Sequence, residues 1–554
     1  MKVLCVEDWT RTRSALAELF TLLIDRVVNY SLSPPQRTTP ASSYAPSSRT
    51  TAHASSTSIT TMLVRSAAAL LSLLPRRLST ITMTESIPDK FVKYPEVLPY
   101  ASKADMILPG DLLVKEHTFE VPLSPDGKGR QKIEVFVREM VKASQAGNAD
   151  KLPCLLYLQG GPGFPSPRAT TPPSGWCAAG LKAGYRVLLL DQRGTGRSTP
   201  ITAQSLRALD GAQAQADYLS NFRADAIVRD CEVVRKKLAN GQKLTLLGQS
   251  FGGFCILSYL SYRPESIERT LFTVGLAPVG QSADDVYRAT FKRMEERNRR
   301  YYARYPQDIE LIRAIVRSLH EEPRELPRGG TLTARRFLQL GIELGRSTGF
   351  EALHDLLELA RCPAPDGSLP DHFLLAVEGA QEAFETNPIY WLLHESIYCD
   401  GPAYGASRWA AERVQRELGD TWDYTTRLDA GGPPVMLTGE MVFSWMAEDY
   451  AWLRPLKDCA DLLATKDDWP RLYEPDVLSS DRCPPSAALV SYEDTFVERA
   501  FSEATANLMG PAGEDPACKL WITNEFQHNG LRVEPGRIFD TLLGMAKGEH
   551  AIPS

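Results

Sequence analysis

Ser250 stands at the centre of Gly248-Gln249-Ser250-Phe251-Gly252, a serine with glycines two residues before and two after it. That spacing suits a nucleophile. A hydroxyl that must project above a sheet needs a sharp, strained turn, and glycines on both sides let the turn pass neighbouring backbone. A serine attacks only when a base takes its proton and a carboxylate holds the base in the right tautomer. The chain has a histidine just past a late strand, His528, and a carboxylate pair at the end of the strand before it, Glu493-Asp494. The other late histidine, His550, lies four residues from the C-terminus. Asp494, at the turn after its strand, is preferred as the third member, with Glu493 as the alternative. The chemistry is acyl transfer through a covalent intermediate on Ser250, with the Phe251 N–H at a helix start aimed at the developing oxyanion. A second donor is expected from Gln159-Gly160-Gly161-Pro162-Gly163, where the N–H of Gly161 is the candidate.

These residues need a scaffold that brings positions 161, 250, 494 and 528 together. Continuous apolar runs at Pro153–Leu158, Tyr185–Leu190, Leu244–Gly248 and Arg269–Gly275 read as strands buried on both faces. Helical spacing over Asp217–Asn240 and after Ser250 separates them, so the sheet is mainly parallel with helices on both faces. An antiparallel hairpin, Glu116–Leu123 and Lys132–Arg138 around a Pro-Asp-Gly turn, precedes it. Strands resume at Pro484–Asp494 and Cys518–Asn524, and a helix over Gly536–Lys547 closes the chain. The order Ser, Asp, His along such a chain is that of an α/β-hydrolase. From about Ser282 to Arg427 the sequence is helical and charged, with helices expected over Thr333–Arg346 and Ala406–Leu418 among others. This reads as an inserted, mainly helical cap domain. The expected boundaries are 1–90 for a leader, 91–280 for the first part of the core, 281–430 for the cap, and 431–554 for the return and the second part of the core.

The leader differs from the rest. Between Arg26 and Thr84 there are six arginines and no acid, and Ser, Thr, Ala and Pro crowd Ser31–Thr61. It reads either as a mitochondrial transit peptide or as an over-extended start, with Met62 and Met83 as internal candidates. The other 460 or so residues have ordinary globular composition. The net charge of −6 over 554 residues gives no basic footprint for nucleic acid and no polybasic patch for a membrane. Ten cysteines are scattered without a C-x-x-C pair, which argues against a zinc site and for a reducing, cytoplasmic setting. No dinucleotide fingerprint or metal-ligand cluster stands out, so no cofactor and no metal are expected. A homo-oligomer is left open.

Gly-Gly-Pro-Gly-Phe at 160–164, Asp-Gln-Arg-Gly-Thr-Gly-Arg-Ser at 191–198 and Gly-Gln-Ser-Phe-Gly-Gly at 248–253, in that order, resemble the proline iminopeptidases of the α/β-hydrolase class. Tyr492–Val497 and His528–Arg532 resemble the larger members of that family. The family's usual His before Gly-Gly-Pro-Gly is Gln159 here. The resemblance implies release of an N-terminal residue, preferably proline, from small peptides with a free N-terminus. It also implies that Asp191, Arg193, Gly194 and Gly196 brace loops rather than react. Such an enzyme must hold a protonated amine, and two glutamates sit in unusually aromatic stretches: Glu395 in Tyr390–Cys399 and Glu440 in Leu437–Trp445. Both are expected to bind the amine; otherwise they are ordinary salt-bridge partners among core aromatics. The competing reading is another serine hydrolase of this scaffold, an esterase or an aminopeptidase of broader specificity.

Overall fold

The structure, a computed structural model, describes residues 100–550 apart from 103–104, 125–130, 363 and 514. The leader expected over residues 1–90 lies outside the described residues. The apolar runs form a ten-stranded sheet: β1 (Tyr100–Ser102), β2 (Met106–Leu108), β3 (Leu112–Pro122), β4 (Lys132–Lys142), β5 (Cys154–Leu158), β6 (Arg186–Asp191), β7 (Leu244–Gln249), β8 (Ile267–Thr273), β9 (Ser486–Ser491) and β10 (Cys518–Thr523). Their order across the sheet is β1-β3-β4-β6-β5-β7-β8-β9-β10, with β2 on the flank of β3. The first four strands and the β4–β6 pair are antiparallel; from β6 through β10 every pairing is parallel.

Alternation along each central strand divides the core in two. Cys154, Leu156 and Leu158 of β5 face one cluster, while Leu155 and Tyr157 face the other. On the first face lie α2 (Ala224–Leu238) and α3 (Phe251–Tyr262); on the second lie α1 (Gly175–Lys182) and the closing helix α7 (Pro535–Lys547). Both faces are covered, which is why β5, β6 and β7 are apolar at every position rather than at alternate ones. The stretch expected as one helix over Asp217–Asn240 is two, because the chain turns at Ser220–Arg223 and a second helix starts at Ala224. Arg223, fully buried, donates there to the carbonyls of Cys399 and Pro470, and that long-range contact overrides local spacing.

Between β8 and β9 the chain is helical, led by α4 (Ala283–Arg304), α5 (Asp371–Thr386) and α6 (Ala410–Glu417). A capping box between Ser282 and Asp285 starts α4. One expectation is corrected here. Thr333–Arg346 is not one helix: an α-turn over Ala334–Leu338 tightens to a 3-10 stretch, Gln339–Gly345. A short ribbon, Arg324–Glu325 against Thr331–Leu332, also interrupts the helices. Gly345, at the end of the 3-10 stretch, is needed for its bareness. A Cβ there would fall 2.1 Å from the Phe496 ring and 2.5 Å from Thr495 Oγ1. The helical layer therefore reaches down onto the loop that carries Asp494. Among the described residues no helix is long and apolar enough to cross a membrane.

Candidate active site

β7 ends at Gln249 and α3 begins at Phe251, leaving Ser250 alone in the turn at φ 54° and ψ −125°. A non-glycine residue in that region stores about 1–3 kcal/mol of strain, and the surroundings enforce it. The Ser250 N–H donates to the Thr273 carbonyl at 3.0 Å. Gly252 lies so close to β5 that a Cβ would sit 1.9 Å from the Leu158 carbonyl oxygen.

The strand ends then converge. His528, five residues past β10, places Nε2 2.9 Å from Ser250 Oγ. Its Nδ1 lies 2.9 and 3.0 Å from the two carboxylate oxygens of Asp494. Asp494 is buried and also accepts from the N–H groups of Phe496 and Val497. Three further contacts hold the imidazole loop. Phe496 stacks on the His528 ring at 4.2 Å, Gln249 Nε2 donates to the His528 carbonyl at 3.0 Å, and the His528 N–H donates to the Gly345 carbonyl. Neither Phe496 nor Gln249 was assigned a part from sequence, although Gln249 stands inside the Gly-x-Ser-x-Gly turn. Glu493 faces the other way and pairs with Arg297 at 3.5 Å and with Arg300, both on α4.

Gly161 and Phe251 line the cavity into which Ser250 opens. Among the described residues neither backbone N–H has a hydrogen-bond partner. Asp191 and Arg193 do not line this cavity but hold loops: Asp191 accepts from the N–H of Ser166 and Arg197, and Arg193 grips Asp230 through two 2.7 Å bonds. No group of three or more His, Cys, Asp or Glu among the described residues could hold a metal.

The cavity has a volume of about 200 Å³, below the ~300–1,000 Å³ of sites for drug-sized ligands. Phe164, Phe384, Tyr390, Tyr398 and Phe496 supply much of its wall. Glu440 lines it, is 1% exposed, and bonds through Oε2 to His394 Nε2. Its other oxygen, Oε1, is buried without a partner among the described residues, as is His394 Nδ1. Burial first, and the Glu440 charge next, hold the Tyr390 phenol well above its ordinary value. Glu395 does not line the cavity. Its carboxylate accepts the N–H groups of Ala410 and Ala411 at 3.0 Å each, closing the start of α6. Burial pushes its pKa up, and those N–H groups oppose the rise. Sequence reasoning also missed Glu343, Arg346 and Arg532, which line the cavity. Glu343 and Arg346 form an ion pair at 3.1 Å. Burial raises the Glu343 pKa and Arg346 pulls it back.

Cys255, on α3 five residues after Ser250, is wholly buried, and burial pushes its thiol well above the ordinary value. A brief maleimide pulse on the native protein is expected to label Cys362, which is exposed, and to leave Cys255 unmodified in a peptide map, because only an accessible thiolate reacts. Labelling of the two at comparable rates would contradict the burial of Cys255.

The α/β-hydrolase fold model matches residues 153–362. A proline iminopeptidase of Aeromonas sobria is 44% identical over 430 residues, covering 77% of this chain and 95% of its own. The chain belongs to the proline iminopeptidase family. A second family member, the proline iminopeptidase of Aspergillus aculeatus, is 36% identical over 448 residues, covering 79% of this chain and 94% of its own. Membership makes this chain a serine hydrolase, and the family's fold is the one observed. The solved proline iminopeptidase of Mycobacterium smegmatis is a distant likeness, at 14% identity over 78% of this chain and 100% of its own, with a TM-score of 0.37.

Proposed function

We propose that this enzyme releases the N-terminal residue, preferentially proline, from small peptides, through an acyl-enzyme on Ser250. The observation that carries this reading is the unpartnered Glu440 Oε1, buried in the wall of the cavity onto which Ser250 and His528 open. A buried carboxylate oxygen without a partner in an aromatic wall is costly unless a cation completes it. The cation that a peptide brings is its N-terminal ammonium. The cavity's small volume suits a short substrate. Glu395, spent on the start of α6, is left out of amine binding in this proposal.

His528 Nε2 takes the Ser250 proton as Oγ bonds to the scissile carbonyl carbon, and Asp494 steadies the resulting imidazolium. The negative charge that forms on the carbonyl oxygen is met by the N–H groups of Gly161 and Phe251. His528 then returns the proton to the departing amine as the C–N bond breaks, leaving the residue esterified to Ser250. Water, deprotonated by His528, reverses these steps and frees the amino acid. The nine described cysteines are all unpaired, which suits a cytoplasmic setting.

The test is a proline arylamide beside the same compound with its nitrogen acetylated. The free amine is expected to turn over, and acetylation to remove nearly all turnover. Equal rates, or a preference for short-chain esters over every free-amine arylamide, would overturn the reading in favour of a general hydrolase.

A further inference from the structure

Glu440 supplies one buried charge in the cavity wall. Near His528 the wall carries two positive groups, Arg346 and Arg532. Arg532 is exposed, and its guanidinium has no hydrogen bond or ion pair among the described residues. Arg346 has one, to Glu343, and its side chain is half exposed. Their backbone is held in place. Arg346 lies between Gly345, whose carbonyl accepts the His528 N–H at 3.1 Å, and Ser347, whose N–H and hydroxyl both donate to Asn529 Oδ1 at 2.9 Å. Arg532 begins one turn after His528, and its N–H donates to the Asn529 carbonyl. Both residues are therefore anchored next to the histidine loop and line the same cavity as His528.

The histidine fixes which end of a peptide they meet. His528 must hand its proton to the departing amine, so the leaving part of the substrate passes on its side of Ser250. In a dipeptide the Cα next to that amine carries the terminal carboxylate. A guanidinium is the side chain best shaped to take a carboxylate. We propose that Arg532, assisted by Arg346, forms a subsite for the C-terminal carboxylate of the residue behind the scissile bond, so that free dipeptides are the preferred substrates. Arg532 carries the larger share, because Glu343 already occupies part of Arg346. This inference rests on the aminopeptidase reading above.

Kinetics on Pro-Ala, on Pro-Ala-NH2 and on a proline arylamide test it. The amide lacks only the charge, and the arylamide is the carboxylate-free reference. In Arg532→Gln, kcat/KM on Pro-Ala is expected to fall about tenfold relative to the amide, mostly through KM, and Arg532→Glu is expected to fall further. Arg346→Gln should lose less. Because the pairing is solvent-facing, 0.5 M salt should shrink the wild-type preference for the acid. An acid-to-amide ratio that is the same in wild type, Arg532→Gln and Arg532→Glu overturns the subsite while the arylamide still reports an aminopeptidase. A loss shared by all three substrates also overturns it and makes Arg532 structural. Failure of wild type on every free-amine substrate removes the underlying reading instead.

Discussion

Alanine at Ser250 or at His528 is expected to lower kcat by about 10⁴-fold or more on a proline arylamide, and the double variant to be no worse than either alone, since members of such a unit fail together. Asp494→Asn should cost about 10⁴-fold, because it presents the wrong partner to His528 Nδ1. Glu493→Gln should keep kcat within a few-fold of wild type. Its carboxylate serves Arg297 and Arg300 on α4, so any loss appears as a lower melting temperature. The measurements are steady-state kinetics beside circular dichroism on each variant. A folded His528→Ala that turns over like wild type would remove the histidine from the mechanism. A silent Asp494→Asn with a dead Glu493→Gln would exchange the two carboxylates, against their observed partners.

The second large effect is expected at Glu440. Glutamine there keeps the shape and removes the charge. On substrates with a free amine, kcat/KM should fall by about 2–5 kcal/mol of transition-state binding, the usual loss when one partner of a buried charge pair is removed. An ester without an amine, hydrolysed by the same Ser250, should lose far less. Glu395→Gln gives the contrast. It weakens two charge-assisted hydrogen bonds at the start of α6, so stability should fall by about 1.5–3 kcal/mol with both substrates affected alike. Equal losses on amine and ester in Glu440→Gln would make that glutamate structural and would reopen the question of what holds the ammonium.

Much of the scaffold is legible in the chain because its signals are local. Strands buried on both faces need unbroken apolar runs, and β5, β6 and β7 have them. The turn at Ser250 needs its glycines, and the candidate partners follow in the order that the fold's connectivity requires. What escapes is set by contacts distant in sequence. Glu395 and Glu440 look alike in sequence, each an acid among aromatics. Only folding shows that one meets the N–H groups of residues 410 and 411 while the other is left with a free oxygen on the cavity wall. Glu343 and Arg346 lie at the end of a stretch that reads as one regular helix but is tightened to a 3-10 turn by the fold, which changes where those side chains stand, and Arg532 reads as an ordinary surface charge until the His528 loop is in place.

The hydrogen bonds that join residues 345–347 to residues 527–529 have a mechanical consequence. The His528 N–H reaches Gly345, the Gln527 N–H reaches Ser347 Oγ, and Ser347 holds Asn529 through two more bonds. The helical layer is thus clamped to the very loop that carries His528. It cannot swing outward as a free door: either these bonds break first, or His528 is drawn off Ser250 with it. Where the bonds hold, opening the cavity and separating His528 from Ser250 become one movement.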